Sequence, residues 1–436
     1  AALAAQIAAR RTTKMVYSMQ SARAIAEDVR RIRSPVVLAD QEDWSPELEA
    51  AVAQIGAAGV ILRDGAERAF EVHPRFTRAS GSFPISTEAM AFELLSSGTT
   101  GAPKRIPLTW KTVEISVADS KTSYVGTDQR TAPLLMLHPL GNIAGIGYLA
   151  PALVNGQRMV LLERFAVAAW AEAVRLYKPT RCALPPAGMR MVLEARVPRE
   201  DLESLAVVAV GGAKLDADVH AQFEETYGIP VLTAYGATEF GGVISNWTLP
   251  LYQQYGKAKP GSVGRASANV SLRVVDPATS RPLPAGETGI LEALVPRIGS
   301  AWMRTTDLAS IDSDGFLYLR GRADSAINRG GFKIVPEQIA EILKSHPSVA
   351  DAAVVGIPDE RLGEVPVAAI EQRADASAVT PEEMAAFARE RLLAYQVPVA
   401  FRVMGSLPRN ASLKVSMPEV RVLFEGFEDK SLAGRV

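Results

Sequence analysis

The sequence predicts an α/β protein: a large N-terminal domain of βα units with an antiparallel β layer, then a small α+β C-terminal domain. Three observations lead there. Short apolar runs alternate with helix-period stretches until about residue 256, the pattern of strands covered by helices. From Lys257, Pro and Gly punctuate short alternating runs, the pattern of antiparallel strands. After Gly321-Arg322-Ala323-Asp324 a further stretch of roughly a hundred residues returns to helices and strands, near the usual domain size. The expected division is 1–320 for the N-terminal core, with the β layer at 257–320, then 321–325 as connector and 326–436 as the C-terminal domain.

The elements follow in order. A helix is expected over Ser21–Arg31, a strand at Val36–Ala39, a helix from Ser45-Pro46 and a strand at Gly59–Leu62. Ser before Pro is an N-cap followed by a residue preset for the first helical turn. Thr109 is placed to cap a helix running through Val117. Buried strands are expected at Leu134–Leu137, Met159–Leu162, Cys182–Leu184, Ala206–Val210 and Val231–Ala234, with helices at 166–177, 187–195 and 216–227. Parallel strands of this kind gather ligands at their ends. Those ends read His138-Pro139, Gly211-Gly212-Ala213 and Tyr235-Gly236-Ala237-Thr238-Glu239. The β layer holds runs at Val270–Val275 and Gly289–Val295, with a hairpin turn at Asp314-Gly315. The last piece holds a helix Pro336–Ser345, strands Ala352–Ile357 and Val365–Ile370, a capping-box helix from Thr380 and a strand Ala400–Met404. The final dozen residues read as a loose tail.

Composition excludes several function classes. A net charge of −1 gives no global attraction to nucleic acid or anionic lipid. Cys182 is the single cysteine, which excludes a disulfide framework and fits a reducing, cytoplasmic setting. The four histidines show no zinc spacing. Residues 133–155 are uncharged apart from His138, but Pro133, Pro139 and Pro151 and several glycines break them, so strand, loop and helix are expected rather than a membrane span. The acid-free first 24 residues read as an amphipathic helix in preference to a targeting segment.

The strongest chemical signal is the turn Ser96-Ser97-Gly98-Thr99-Thr100-Gly101, followed by Ala102-Pro103-Lys104. Successive backbone N–H groups, four hydroxyls and a lysine suit a polyphosphate, although Pro103 stands where a Walker A loop has glycine. Alone, the stretch reads equally as an ordinary Ser/Thr/Gly loop. Glu239, Asp307 and Lys414 alone read most simply as a surface acid, a turn residue and a solvated lysine.

Taken in order, the stretches resemble the adenylate-forming superfamily of acyl- and aryl-CoA synthetases, peptide-synthetase adenylation domains and luciferases. The turn is similar to that family's phosphate signature, and Tyr235–Glu239 to its adenine and magnesium motif. Arg304-Thr305-Thr306-Asp307 resembles its ribose segment, and Gly321–Asp324 its hinge, with Gly330-Gly331-Phe332-Lys333-Ile334 following. Leu407–Lys414 resembles its catalytic-lysine loop. The resemblance implies a mobile C-terminal domain and an activity using ATP, Mg2+ and CoA: a carboxylic acid becomes an acyl-adenylate, then a CoA thioester, releasing pyrophosphate and AMP. Ser96–Gly101, Lys104 and Thr238 would bind phosphates, and Glu239 would hold the metal. Gly211, Gly212, Ala213, Tyr235, Gly236, Asp307 and Arg322 would hold adenine and ribose. His138 and Gly145 would border the acyl pocket. Asp324 would be the pivot, Lys414 the catalytic lysine, and Gly330, Gly331 and Phe332 the CoA-side loop.

The sequence also departs from the family. Arg105 follows Lys104 where glycine is usual, with its charge available to aid phosphate binding or stiffen the loop. Thr306 precedes Asp307 and Leu413 precedes Lys414, again in place of glycine. About ninety residues precede the phosphate turn, fewer than the family carries. Two rival readings stay open: transfer of the acyl group to the phosphopantetheine thiol of a carrier protein, and a non-catalytic descendant that binds nucleotide or acyl groups. The acid is unspecified, and a homodimer is compatible with the pattern.

Overall fold

Apolar alternation does build βα units, but they gather in several small sheets rather than one broad parallel sheet. The computed structural model describes residues 2–17, 20–63, 69–84, 89–95, 104–123, 132–410 and 412–427. Strand Val36–Asp40 pairs parallel with Ala58–Leu62, and Phe70–Val72 adds antiparallel. Helices Ala22–Ile32 and Pro46–Ile55 cover one face of this sheet through Val29, Leu48, Val52 and Ile55. Both helices start as their sequences require: Ser21 Oγ accepts from the Ala24 N–H at 3.3 Å and Ser45 Oγ from the Leu48 N–H at 3.2 Å.

The main sheet runs Arg181–Leu184, Val207–Val210 and Val231–Ala237 in parallel. It then turns antiparallel through Gly242–Asn246 and Arg265–Ala266. The reversal has a local cause. A 3-10 turn at Thr238–Phe240 is followed by Gly241 and Gly242 at φ +64° and +126°, a conformation that folds the strand back on itself. Leu134–Met136 and Met159–Leu161 form a separate parallel pair. Trp170, Val174, Leu184, Met189, Val208 and Phe223 fill the core beneath.

The N-terminal helix covers only Ala2–Ala8; Thr13–Lys14 instead pairs with Met90–Leu95. That strand forms a hairpin with Arg105–Thr109, and the intervening turn 96–103 lies outside the described residues. Thr109 Oγ1 accepts from the Thr112 N–H at 3.1 Å, capping the helix Trp110–Ser123 as expected. Residues 134–154 form a strand, a loop and the helix Ile143–Val154. Among the described residues no helix is long and apolar enough to cross a membrane.

The β layer is an antiparallel sheet of Ser271–Val275, Gly289–Leu294, Trp302–Ile311 and Leu317–Arg322. The Asp314-Gly315 turn is held by Asp312 Oδ1, which accepts from the N–H groups of Asp314 and Phe316, with Gly315 at φ +81°. Beyond it, Val349–Asp359 pairs antiparallel with Gly363–Gln372, and Ala400–Met404 lies parallel beside the latter. Helices Pro336–Lys344 and Pro381–Arg391 pack on one face through Ile339, Leu343, Met384 and Ala388. Val420 and Phe424 pack on the other. The expected loose tail is therefore docked as far as Phe427; residues 428–436 lie outside the described residues.

Candidate active site

Two strand ends form the floor. Val207–Val210 delivers Gly211, Gly212 and Ala213, with Gly212 at φ +83°. Val231–Ala237 delivers Tyr235 and Gly236, followed by buried Thr238 and exposed Glu239 on the 3-10 turn. Gly236 has no room for a side chain: a β-carbon there would lie 2.4 Å from the Gly242 carbonyl oxygen.

Lys414 comes down onto this floor from the C-terminal domain. A β-carbon built on Gly212 would sit 3.3 Å from Lys414 Cε and 3.7 Å from Nζ, so the strand end is bare where the lysine arrives. Burial pushes the Lys414 ammonium below the usual lysine range. Among the described residues it enters no ion pair, leaving a desolvated cation ready for an anion. His138 faces the same space, stacked on Tyr148 with ring centroids 5.3 Å apart and planes at 9°. Burial first, and then the Lys414 charge, push the imidazole down to about 4, so it is neutral at pH 7.

The lysine is carried on a tightly bonded loop. Asn410 Oδ1 accepts from the N–H groups of Ser412 at 3.0 Å and Lys414 at 3.1 Å. The Asn410 N–H donates to the Lys414 carbonyl at 2.8 Å. Leu413 sits at φ +60°, in the left-handed region where glycine would be free of strain.

A second cluster surrounds Asp307. Tyr235 Oη donates to Asp307 Oδ2 at 2.5 Å, and the Arg322 guanidinium lies 4.0 Å from Asp307 Oδ1. Burial raises the Asp307 carboxyl, while the Tyr235 hydrogen bond and Arg322 oppose the rise. Arg322 also donates to Thr306 Oγ1 at 2.6 Å and grips Asp324 through two bonds of 2.8 and 2.6 Å. Thr306 thus supplies a hydroxyl that glycine lacks.

Ser96, Ser97, Gly98, Thr99, Thr100 and Gly101 lie outside the described residues, and Lys104 is exposed at the edge of the following strand. Gly330, Gly331 and Phe332 are exposed on the C-terminal domain, with Phe332 stacked on Tyr395 at 4.7 Å. Gly145 has a structural reason to be small. A β-carbon there would lie 2.2 Å from the Pro139 carbonyl oxygen, and its N–H is taken by the Asn142 cap at 2.8 Å. Gly147, by contrast, opens onto an apolar cleft with Val113, Ile146 and Ala150. Arg105 is not free for phosphate. It is buried against Asp28 and lies 3.2 Å from Glu93, tying the hairpin to the first helix.

Sequence reasoning missed three contributors. Arg297 is buried and donates to the carbonyls of Phe240 at 2.8 Å and Val243 at 2.6 Å, clamping the turn after Glu239. Arg190 and Asp351 meet across the domain junction. Each looks like an ordinary helix or strand charge in sequence; only a partner over fifty residues away reveals it.

A C-terminal lysine set over a glycine strand end, and a carboxylate–tyrosine–arginine cluster built on Tyr235, Asp307 and Arg322, fit the adenylate-forming resemblance. The model of the AMP-binding enzyme family matches residues 1–294, and that of its C-terminal domain residues 338–414. The chain is 31% identical over 384 residues to 4-coumarate–CoA ligase-like 9 of Arabidopsis thaliana, covering 83% of this chain and 67% of the relative. It is 31% identical to oxalate–CoA ligase of Arabidopsis thaliana, covering 78% and 68%. Against 4-coumarate–CoA ligase-like 2 it spans 62% of the relative's length. Its fold is similar to ATP-bound MatB from Rhodopseudomonas palustris, with a TM-score of 0.81 at 21% identity over 97% and 92% of the two chains. It is also similar to the ATP and magnesium complex of o-succinylbenzoate CoA synthetase from Bacillus subtilis, with a TM-score of 0.74 at 23% identity over 96% and 92%. The chain belongs to the AMP-binding enzyme family. ATP-dependent activation of a carboxylic acid and formation of its CoA thioester follow from that membership.

Proposed function

We propose that this chain is an AMP-forming acyl-CoA synthetase acting on a carboxylic acid with an apolar acyl body, and that Lys414 is its adenylation lysine. The observation that carries the reading is Lys414 itself, a desolvated cation without an ion-pair partner among the described residues, set over Gly212 at the end of a strand. In the first half-reaction an oxygen of the acid bonds to the α-phosphorus of ATP and the bond to the bridging oxygen of pyrophosphate breaks. Negative charge gathers on both sides of that phosphorus, and a fixed desolvated ammonium is worth most there. Lys414 bridges acid and α-phosphate, and Thr238 donates to the phosphate. Tyr235 and the bare Gly211–Ala213 edge receive adenine, while Asp307 accepts the ribose hydroxyls with Arg322 beside it. Ser96–Gly101 and Lys104 take the outer phosphates.

Glu239 is the residue offered to Mg2+. Its exposed carboxylate stands next to Thr238, and no group of three or more ligating side chains occurs among the described residues. That fits a metal held mainly by nucleotide phosphates and water. Bound there, Mg2+ would neutralise phosphate charge.

In the second half-reaction the CoA sulfur attacks the acyl carbonyl carbon, AMP leaves with the bonding pair, and the thiol proton passes to solvent. We place the pivot at 321–325, between an N-terminal domain 1–320 and a C-terminal domain 326–436, with Asp324 as the turning residue. Rotation there would withdraw Lys414 and bring Gly330, Gly331 and Phe332 to the acyl-adenylate. The apolar acyl body is supported by His138, buried and neutral at pH 7 and stacked on Tyr148. Acid-dependent release of AMP across a panel of short, dicarboxylic, aromatic and fatty acids, each with CoA, tests the reading. Aromatic or medium-chain acids should lead; turnover of dicarboxylic acids alone would refute the apolar class.

A further inference from the structure

Adenylation needs Lys414 over Gly212, yet the ammonium has no ion pair among the described residues to hold it there. The restraint acts one residue back. Arg409 Nη1 donates to the Leu413 carbonyl at 3.3 Å, fixing the strained residue that immediately precedes the lysine. Arg409 Nη2 donates to Asp351 Oδ2 at 2.7 Å and to Glu371 Oε2 at 3.0 Å, and Glu371 also accepts from the Leu407 N–H at 2.8 Å. The root of the loop is thereby locked to two strands of the small domain.

The same Asp351 oxygen lies 3.9 Å from Arg190 Nη1, which reaches across from the helix Pro186–Glu194 of the large domain. Arg190 Nη1 also donates to the Ala350 carbonyl. Arg190 Nη2 donates to Asp216 Oδ2 at 2.6 Å, and Asp216 pairs in turn with Lys344 of the small domain. Asp216 stands four residues after Gly212, in the segment that leaves the floor of the site. A path of hydrogen bonds and ion pairs, with the 3.9 Å Arg190–Asp351 contact and the Arg190–Ala350 bond as its link across the junction, therefore runs from the lysine loop to the segment that follows the floor on which the lysine must land. The side chains of Arg190, Asp351 and Glu371 are only 14, 15 and 15% exposed, so these are not the screened surface pairs that contribute little.

We propose that Arg190 and Arg409 are positioning residues for Lys414. Arg409 sets the backbone of its loop, and Arg190 docks the small domain in the orientation that inserts it. The inference rests on the two-step ligase reading, because it assigns Arg190 to one domain arrangement and not the other. When the small domain turns, the contacts of Arg190 with Asp351 and Ala350 part, whereas Arg409, Asp351 and Glu371 travel together.

The test measures each half-reaction in the full chain: acid-dependent ATP–pyrophosphate exchange, and thioester formation from supplied acyl-adenylate and CoA. Arg190→Ala and Arg409→Ala should each lower the exchange kcat about ten- to a hundredfold, the loss of one or two charge-assisted bonds. Thioester formation should hold or, for Arg190→Ala, rise. Arg190→Lys, reaching fewer acceptors, should fall between wild type and Arg190→Ala, and it guards against a folding defect because the charge stays. Loss of both half-reactions in equal measure, or a rise in KM for ATP with exchange kcat intact, would overturn the assignment. Wild-type protein without exchange on any acid would overturn the ligase reading itself, and the positioning roles with it.

Discussion

Replacing Lys414 by alanine should separate the two half-reactions. At 4 Å from a phosphate oxygen, a unit charge in surroundings of effective dielectric about 20 is worth about 4 kcal/mol. If most of that interaction is realised only as the acid–phosphorus bond forms, adenylation slows by about a thousandfold. The substitution should not weaken the fold. Burial holds the ammonium below its usual range, which means that the charged form is disfavoured where it sits, and removing it relieves that cost. The melting temperature should therefore stay or rise while ATP–pyrophosphate exchange collapses. Thioester formation from supplied acyl-adenylate, which in the proposed mechanism uses an arrangement with the lysine withdrawn, should remain near wild type. If both half-reactions fell together, or exchange survived, Lys414 would not be the adenylation lysine, and the reading of its site as an anion-receiving pocket would fail.

Other expectations follow from the same geometry. Leu413→Gly should be more stable than Leu413→Ala by about 1 kcal/mol in chemical denaturation, reversing the usual order, because only glycine is relaxed at φ +60°. Gly145→Ala should lower stability by about 1–3 kcal/mol, since its β-carbon would meet the Pro139 carbonyl, while Gly147→Ala, with open space around it, should be neutral or mildly stabilising. His138 is held at about 4 against an ordinary 6.5, so its folded form resists protonation; stability should fall as acid is added through that window and be independent of His138 above it. NMR titration of the imidazole in Lys414→Ala should show its pKa move up, since one of the two causes of the depression is gone.

The helices and strands were legible wherever a local rule fixed them. Ser21, Ser45 and Thr380 cap the helices they precede, and the Thr380–Glu383 capping box forms in full. The apolar runs that ended at Gly211 and Tyr235 do become strands pointing at the site. Sheet partnership was less legible, because it depends on pairings far apart in sequence. The strand after Tyr235 reverses at Gly241-Gly242, and no apolar pattern distinguishes that antiparallel return from another parallel unit. The fate of Arg105 was illegible for the same reason. Beside Lys104 it looks like a phosphate ligand, yet Asp28, 77 residues earlier, consumes its charge.

The way in which the small domain is attached bears on whether it can move. Its core is self-contained among the described residues: the apolar clusters of residues 327–427 include no side chain from the large domain, and the large core around Trp170 includes none from the small one. The ion pairs and hydrogen bonds that cross the junction among the described residues include Arg190 to Asp351 and Ala350, Asp216 to Lys344, and Lys214 to Glu341. Apolar burial across this junction would cost about 25 cal/mol for each Å² reopened, with nothing in water to compensate. Ion pairs that part into solvent recover hydration, so their net hold is modest even when their geometry is specific. A junction built from such pairs defines one orientation sharply and can still release it, which is what the proposed delivery and withdrawal of Lys414 would require. Adding apolar contacts at Arg190 should therefore favour the lysine-in arrangement at the expense of thioester formation.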